Sequence, residues 1–285
     1  MMQQRQLIGP MELAQKLGLD NWHVIDCRFY LSNTSQGKQE YTGGHIPGAV
    51  FMDLNLDLAS APSPTSGRHP LPDVAAIAAT IGRLGMDNQS NVVVYDADSG
   101  AMAARCWWIF RWLGHTNIRL LDGGLAAWKR AELPLTSVVP SPRPTTFNAH
   151  PRAAAVVSTD ELAALIGTDH MPTVFDARDA SRFAGAQEPI DPVAGHVPGA
   201  RSLPFSESLA ADGRWKSRQE LEVLWQLHLG KRKEATWVAM CGSGVTACHL
   251  ALSALEAGYS EPRLYAGSWS EWIRDTRRPI ATGTG

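Results

Sequence analysis

Short, almost wholly apolar runs alternate along this chain with longer stretches whose apolar residues recur at helical spacing. Val92-Val93-Val94-Tyr95, Val174-Phe175 and residues 235–240, ending Trp237-Val238-Ala239-Met240, are of the first kind. They are too short for helices and apolar at consecutive positions, as strands buried on both faces are. Residues 11–17, 74–84, 159–166 and 219–227 are of the second kind and read as helices. So do residues 249–257, apolar at Leu250, Leu252 and Leu255, with Gly258 placed to cap the end. Strand and helix in alternation predict an α/β fold: a mostly parallel sheet with helices on both faces.

The pattern occurs twice. Val24-Ile25-Asp26-Cys27-Arg28 returns as Val174-Phe175-Asp176-Ala177-Arg178, and Gly44-His45-Ile46-Pro47-Gly48-Ala49 as Gly195-His196-Val197-Pro198-Gly199-Ala200. Val92-Val93-Val94-Tyr95-Asp96 returns as Trp237-Val238-Ala239-Met240-Cys241, and Leu121-Asp122-Gly123-Gly124 with Trp128 as Tyr265-Ala266-Gly267-Ser268 with Trp272. Four collinear matches indicate a duplicated domain, one copy over residues 1–136 and the other over 153–285. Residues 137–152, rich in proline, read as a stiff extended linker lying across the outside of both copies. Asp26, Arg28, Asp176, Arg178, His45 and His196 recur in both copies and read as structural.

A chain of 285 residues suits two domains of about 140 each. Its formal net charge of −2 gives no reason to expect nucleic acid or an anionic membrane as partner. No apolar run approaches the roughly 20 residues that span a bilayer, and the first residues lack a signal peptide's apolar core. Cysteines at 27, 106, 241 and 248 match no zinc or disulfide spacing. A reducing cytoplasm is the expected compartment, with no metal and no cofactor.

The chemistry is expected at Cys241. It ends a strand, and Gly242-Ser243-Gly244-Val245-Thr246 leads from it into a helix. That geometry aims backbone N–H groups and the positive end of a helix dipole at the sulfur, which favours a thiolate. Cysteine phosphatases carry an arginine six residues after the nucleophile; here that position is Ala247. The loop suits a smaller group than phosphate, such as one extra sulfur on the cysteine. The first copy has Asp96 where the second has Cys241, and a carboxylate cannot carry a transferable sulfur. Cys248, two helical turns on, reads as packed.

Cys241-Gly242-Ser243-Gly244-Val245-Thr246-Ala247-Cys248 resembles the active-site loop of the two-domain rhodanese-like sulfurtransferases, and within them the 3-mercaptopyruvate sulfurtransferases. The resemblance extends over nearly the whole chain. It implies tandem rhodanese-like domains, the first inactive and forming one wall of a site between them. It implies that Cys241 takes sulfur from a small-molecule donor as a persulfide and passes it to a thiol, either small or on a thioredoxin-like protein, or to cyanide. Gly242, Gly244, Val245 and Thr246 would cradle that sulfur. Ser243 would join a proton relay with His69, in Gly67-Arg68-His69-Pro70, and an aspartate. Simple counting aligns the aspartate with Asn55, between Asp53 and Asp57, and Asp57 is taken for the role. Arg182 and Arg105 match substrate-contacting positions. The family's second arginine, expected after a Glu-Pro pair, is replaced in Glu188-Pro189-Ile190-Asp191. That segment looks more like the thiosulfate branch, so a thiosulfate sulfurtransferase is the alternative.

Overall fold

The computed structural model describes residues 5–284, which divide into two compact units. The first holds the chain up to Ser60, Pro72–Arg152 and Leu209–Trp215; the second holds Ala61–Leu71, Ala153–Ser208 and the chain from Lys216 on. Each unit thus includes a short segment from the other half of the sequence.

The first unit runs β1 (Leu7–Ile8), α1 (Pro10–Ala14), β2 (Trp22–Asp26), α2 (Gln36–Gly43), β3 (Val50–Phe51), α3 (Val74–Arg83), β4 (Asn91–Tyr95), α4 (Ala103–Trp112), β5 (Ile118–Leu121) and α5 (Gly124–Arg130). Its five strands pair in the order β1-β5-β4-β2-β3, all parallel. Consecutive side chains of β4 point to opposite faces, and both faces are buried, which explains the unbroken apolar run. Val93 and Tyr95 join Ile8, Leu13, Val24, Leu121 and Trp128 in one core. The proline-rich segment is hydrogen-bonded to this unit. Thr145 N–H donates to Gly82 O (2.8 Å), His150 N–H to Leu113 O and Arg152 N–H to Trp112 O (both 2.9 Å), while Phe147 packs edge-on against Phe110 and His115.

The second unit runs α6 (Thr159–Leu165), β6 (Thr173–Asp176), α7 (Ala180–Phe183), β7 (Arg201–Ser202), α8 (Arg218–Leu229), β8 (Trp237–Met240), α9 (Ala247–Glu256), β9 (Arg263–Leu264) and α10 (Ser268–Trp272). Its sheet is β7-β6-β8-β9, again parallel, and a single bridge from Val156 to Leu264 lies where β1 lies in the first copy. The expected α/β architecture, a parallel sheet flanked by helices in each copy, is the one observed.

Element ends shift for local reasons. α8 starts one residue earlier than its apolar pattern, because Ser217 and Glu220 form a reciprocal capping box, and it stops at Gly230 with φ 67°. The recurrent Asp-x-Arg motif is a buried fork: Arg28 grips both oxygens of Asp26 and donates to Gly44 O, and Arg178 grips Asp176 and donates to Gly195 O. The fork ties the end of a strand to the Gly-His-x-Pro-Gly-Ala turn. In that turn His45 and His196 meet the carbonyls of Tyr41 and Phe183.

Candidate active site

Cys241 follows β8 directly, and five residues separate it from α9. The buried sulfur accepts the Gly244 N–H at 3.1 Å. Gly244 has φ 73°, and a Cβ there would lie 2.4 Å from Ala266 O, so no side chain fits. Cys248 donates its S–H to Gly244 O at 3.3 Å and packs in the core.

α10 holds the loop from behind. Trp269 N–H donates to Cys241 O (3.0 Å) and Ser270 N–H to Gly242 O (2.9 Å). Ser268 Oγ accepts the Cys241 N–H at 3.0 Å and donates to Tyr265 O. Ser268 itself has φ 54°, a conformation that costs a non-glycine residue about 1–2 kcal/mol. Its hydroxyl, bonded on both sides, offsets part of that cost.

The same helix holds a second strip of chain. Arg68 N–H donates to Ser270 Oγ (3.0 Å), Gly67 N–H to Glu271 Oε2 (3.2 Å) and Arg274 Nε to Ser66 O (3.2 Å). A Cβ on Gly67 would lie 2.5 Å from Gly267 O, so only glycine allows this approach. The strip delivers His69, whose Nδ1 lies 2.8 Å from Ser243 Oγ with both side chains buried. Either atom can donate, depending on the ring's tautomer.

Charged groups surround the loop. Arg182 places Nε and Nη2 on Glu188 (2.7–3.2 Å) and Nη2 also on Asp191 (3.2 Å). Arg68 Nη1 pairs with the other oxygen of Asp191. Arg178 reaches Glu188 at 3.3 Å. A methyl group placed on Gly242 would lie 2.9 Å from Arg68 Nη2 and 3.5 and 3.7 Å from Arg182 Nη2 and Nη1. Two guanidinium groups therefore converge beside the residue that follows Cys241. Burial alone would raise the Glu188 carboxyl, but Arg182 and the N–H groups of Asp191 and Ile190 bring it below the ordinary carboxylate range. Burial opposes the Arg178 charge, and Asp176 and Glu188 more than compensate.

Cys241, Ser243, His69, Arg182 and the loop residues Gly242, Gly244, Val245 and Thr246 thus come together in the second unit. Asp57 and Arg105 belong to the first. There Asp57 Oδ2 accepts the Asp53 N–H at 2.8 Å, and burial raises its carboxyl above the ordinary value. Asp53 instead caps its own turn, accepting the N–H groups of Asn55 and Leu56. Arg105 is fully buried, with Nε 3.4 Å from Leu58 O. Sequence reasoning missed Arg68, Asp191, Ser268 and Ser270. Arg68 had a signal, since it precedes His69 directly; the serines had none, because their role depends on how α10 folds back.

The first copy's loop is closed upon itself. Asp96 accepts N–H groups from Asp98 (3.2 Å) and Gly100 (2.9 Å) on one oxygen, and from Met102 (2.8 Å) and Ala103 (3.1 Å) on the other. The amides that would cradle a foreign anion hold the chain's own carboxylate. Burial raises the Asp96 carboxyl, and these bonds only partly offset it.

A parallel sheet ending in an amide loop with a cysteine at its mouth defines a class, and the chain belongs to it: it matches the Rhodanese-like domain family over residues 10–131 and again over 158–275. Among individual proteins, it is 47% identical over 285 residues to the Pseudomonas aeruginosa protein named "Probable 3-mercaptopyruvate sulfurtransferase", covering 99% of this chain and 100% of that one. It is 34% identical over 258 residues to the thiosulfate sulfurtransferase of Rattus norvegicus, covering 88% of this chain and 84% of that one. The solved 3-mercaptopyruvate sulfurtransferase of Leishmania major superposes with a TM-score of 0.85 at 32% identity, covering 97% of this chain and 76% of that one.

Proposed function

We propose that the protein is a sulfurtransferase that takes sulfur from 3-mercaptopyruvate onto Cys241 and passes it to a thiol or to cyanide. The observation that carries the donor assignment is the Ser243–His69 contact at 2.8 Å beside the cysteine loop. The Cys241 thiolate attacks the donor's sulfur; an S–S bond forms, the donor's C–S bond breaks, and its electron pair passes to carbon as the enolate of pyruvate. That enolate needs a proton, which Ser243 delivers and His69 replaces. Amides from Gly242 to Thr246 stabilise the outer sulfur of the persulfide. An acceptor thiolate or cyanide then attacks that sulfur, and Cys241 leaves as thiolate. Arg182 binds the donor; Arg105 and Asp57, to which the family resemblance gives donor binding and a place in the relay, belong to the first unit. A small thiol or a thioredoxin-like protein in a reducing cytoplasm is the acceptor we favour, in keeping with four free cysteines. Among the described residues no helix is long and apolar enough to cross a membrane.

A second reading, thiosulfate as donor, is favoured by the two guanidinium groups at Gly242. Thiosulfate releases sulfite and needs no proton. The test is the mass of the protein after exposure to each donor, together with kcat/KM for each. Mercaptopyruvate is expected to add the mass of one sulfur atom, lost in Cys241→Ser and kept in Cys248→Ser. A higher kcat/KM with thiosulfate in the wild type overturns the donor assignment, and equal loss of activity in both cysteine variants overturns the nucleophile.

A further inference from the structure

Arg182 is already held without Asp191, since Glu188 engages its Nε and Nη2 together. Asp191 is nevertheless present, with a side chain only 3% exposed, shared between Arg182 Nη2 and Arg68 Nη1. Burial raises its carboxyl above the ordinary range even with two guanidinium groups beside it, so its charge is kept there at a cost. The ion-paired cluster beside Gly242 sets Arg68, Arg178 and Arg182 against Asp176, Glu188 and Asp191; the formal charges of these six cancel, and the Cys241 thiolate adds one more negative charge. Donor groups remain: Arg68 Nε is buried without a hydrogen-bond partner among the described residues. A donor's single carboxylate finds hydrogen bonds in such a seat, but a second negative charge finds no net attraction and meets Asp191.

We propose that Asp191 is a specificity-determining residue: its carboxylate, shared by Arg68 and Arg182, sets the net charge of the donor seat and selects a monoanionic keto thiol over a dianionic sulfur donor. This rests on the proposed sulfur transfer, and it accounts for how two arginines can flank Gly242 without making thiosulfate the better substrate.

The experiment compares kcat/KM for mercaptopyruvate and thiosulfate in wild type, Asp191→Asn and Asp191→Glu. Asp191→Asn is expected to raise the thiosulfate-to-mercaptopyruvate ratio about tenfold, mostly through KM and with a steeper loss on adding salt. Asp191→Glu keeps the charge and, whatever its effect on overall turnover, is expected to hold the thiosulfate-to-mercaptopyruvate ratio within about twofold of the wild-type ratio. Equal change for both donors in Asp191→Asn would show that Asp191 only positions the arginines and would overturn the proposal. A second readout does not depend on turnover: protection of Cys241 from iodoacetamide by pyruvate, a monoanion, or by sulfate, a dianion. Pyruvate is expected to protect wild type at lower concentration than sulfate, with the gap narrowing in Asp191→Asn. Sulfate protecting wild type as well as pyruvate does would also overturn it. A wild type that forms no persulfide from mercaptopyruvate sinks the functional reading instead, and the protection ratio still decides the role of Asp191.

Discussion

Ser243 and His69 lie far apart in the chain, yet their side chains meet at 2.8 Å beside Cys241. Because only the mercaptopyruvate reaction needs a proton, His69→Gln is expected to lower kcat for mercaptopyruvate by about 10²–10⁴ and to leave thiosulfate turnover within a few-fold. Equal losses with both donors would refute the relay. Glu188 makes a pH prediction. Its folded carboxyl titrates below its ordinary value, so its contribution is present above the unfolded pKa and is lost as pH falls through the lower folded one. Glu188→Gln should therefore melt below wild type at pH 7, and the gap should narrow as pH falls below the ordinary Glu value of about 4.3; a gap that does not narrow in acid contradicts the assignment. At this scale the proposed nucleophile, Cys241, was legible as a candidate because glycines and a strand end mark it. His69 was legible only through family resemblance, and Asp191 was not legible at all, since its meaning depends on two arginines brought to it by folding.

At the scale of elements, the loop depends on α10 and on two glycines with different tasks. Gly244→Ala would force a Cβ to within 2.4 Å of Ala266 O at φ 73°. It is expected to cost more than ~2 kcal/mol of stability and to abolish persulfide formation. Gly242→Ala would meet only the ends of Arg68 and Arg182, which can move. It is expected to melt near wild type but to raise KM for the donor. Thermal melts beside donor titrations separate the two, and similar behaviour of both variants would mean that the loop's backbone is not what holds the sulfur. The strands at the core were legible from their uninterrupted apolar runs. Their ends were not, because pairing rather than composition decides them: β8 begins at Trp237, where its pairing with Thr173 starts. The proline-rich segment was expected across both copies; its hydrogen bonds to Gly82, Leu113 and Trp112 strap it to the first unit, and apolar Phe147 was the available clue.

For the molecule as a whole, the two copies differ most in what fills the loop. Asp96 satisfies four N–H groups with two oxygens, so Asp96→Asn turns an amide nitrogen toward donors it cannot accept. The expected result is a loss of about 1–3 kcal/mol in stability with turnover within a few-fold of wild type; a thousandfold loss of kcat would place the first loop in the chemistry. The repeat and its α/β class were plain in the sequence. The allotment of Ala61–Leu71 to the second unit and Leu209–Trp215 to the first was not, because neither segment carries a regular element to announce where it folds. A protein trimmed to residues 153–285 lacks Gly67, Arg68 and His69, and with them the partners of Glu271, Ser270 and Ser243. It is expected to melt lower and to show no mercaptopyruvate turnover; full activity would contradict this account. A tandem gene can ordinarily shed one copy by recombination and return to its ancestor. Here the half that carries the proposed nucleophile draws a glycine, an arginine and a histidine from the other half of the chain, so deleting one copy removes part of the candidate site, and the duplication behaves as a ratchet.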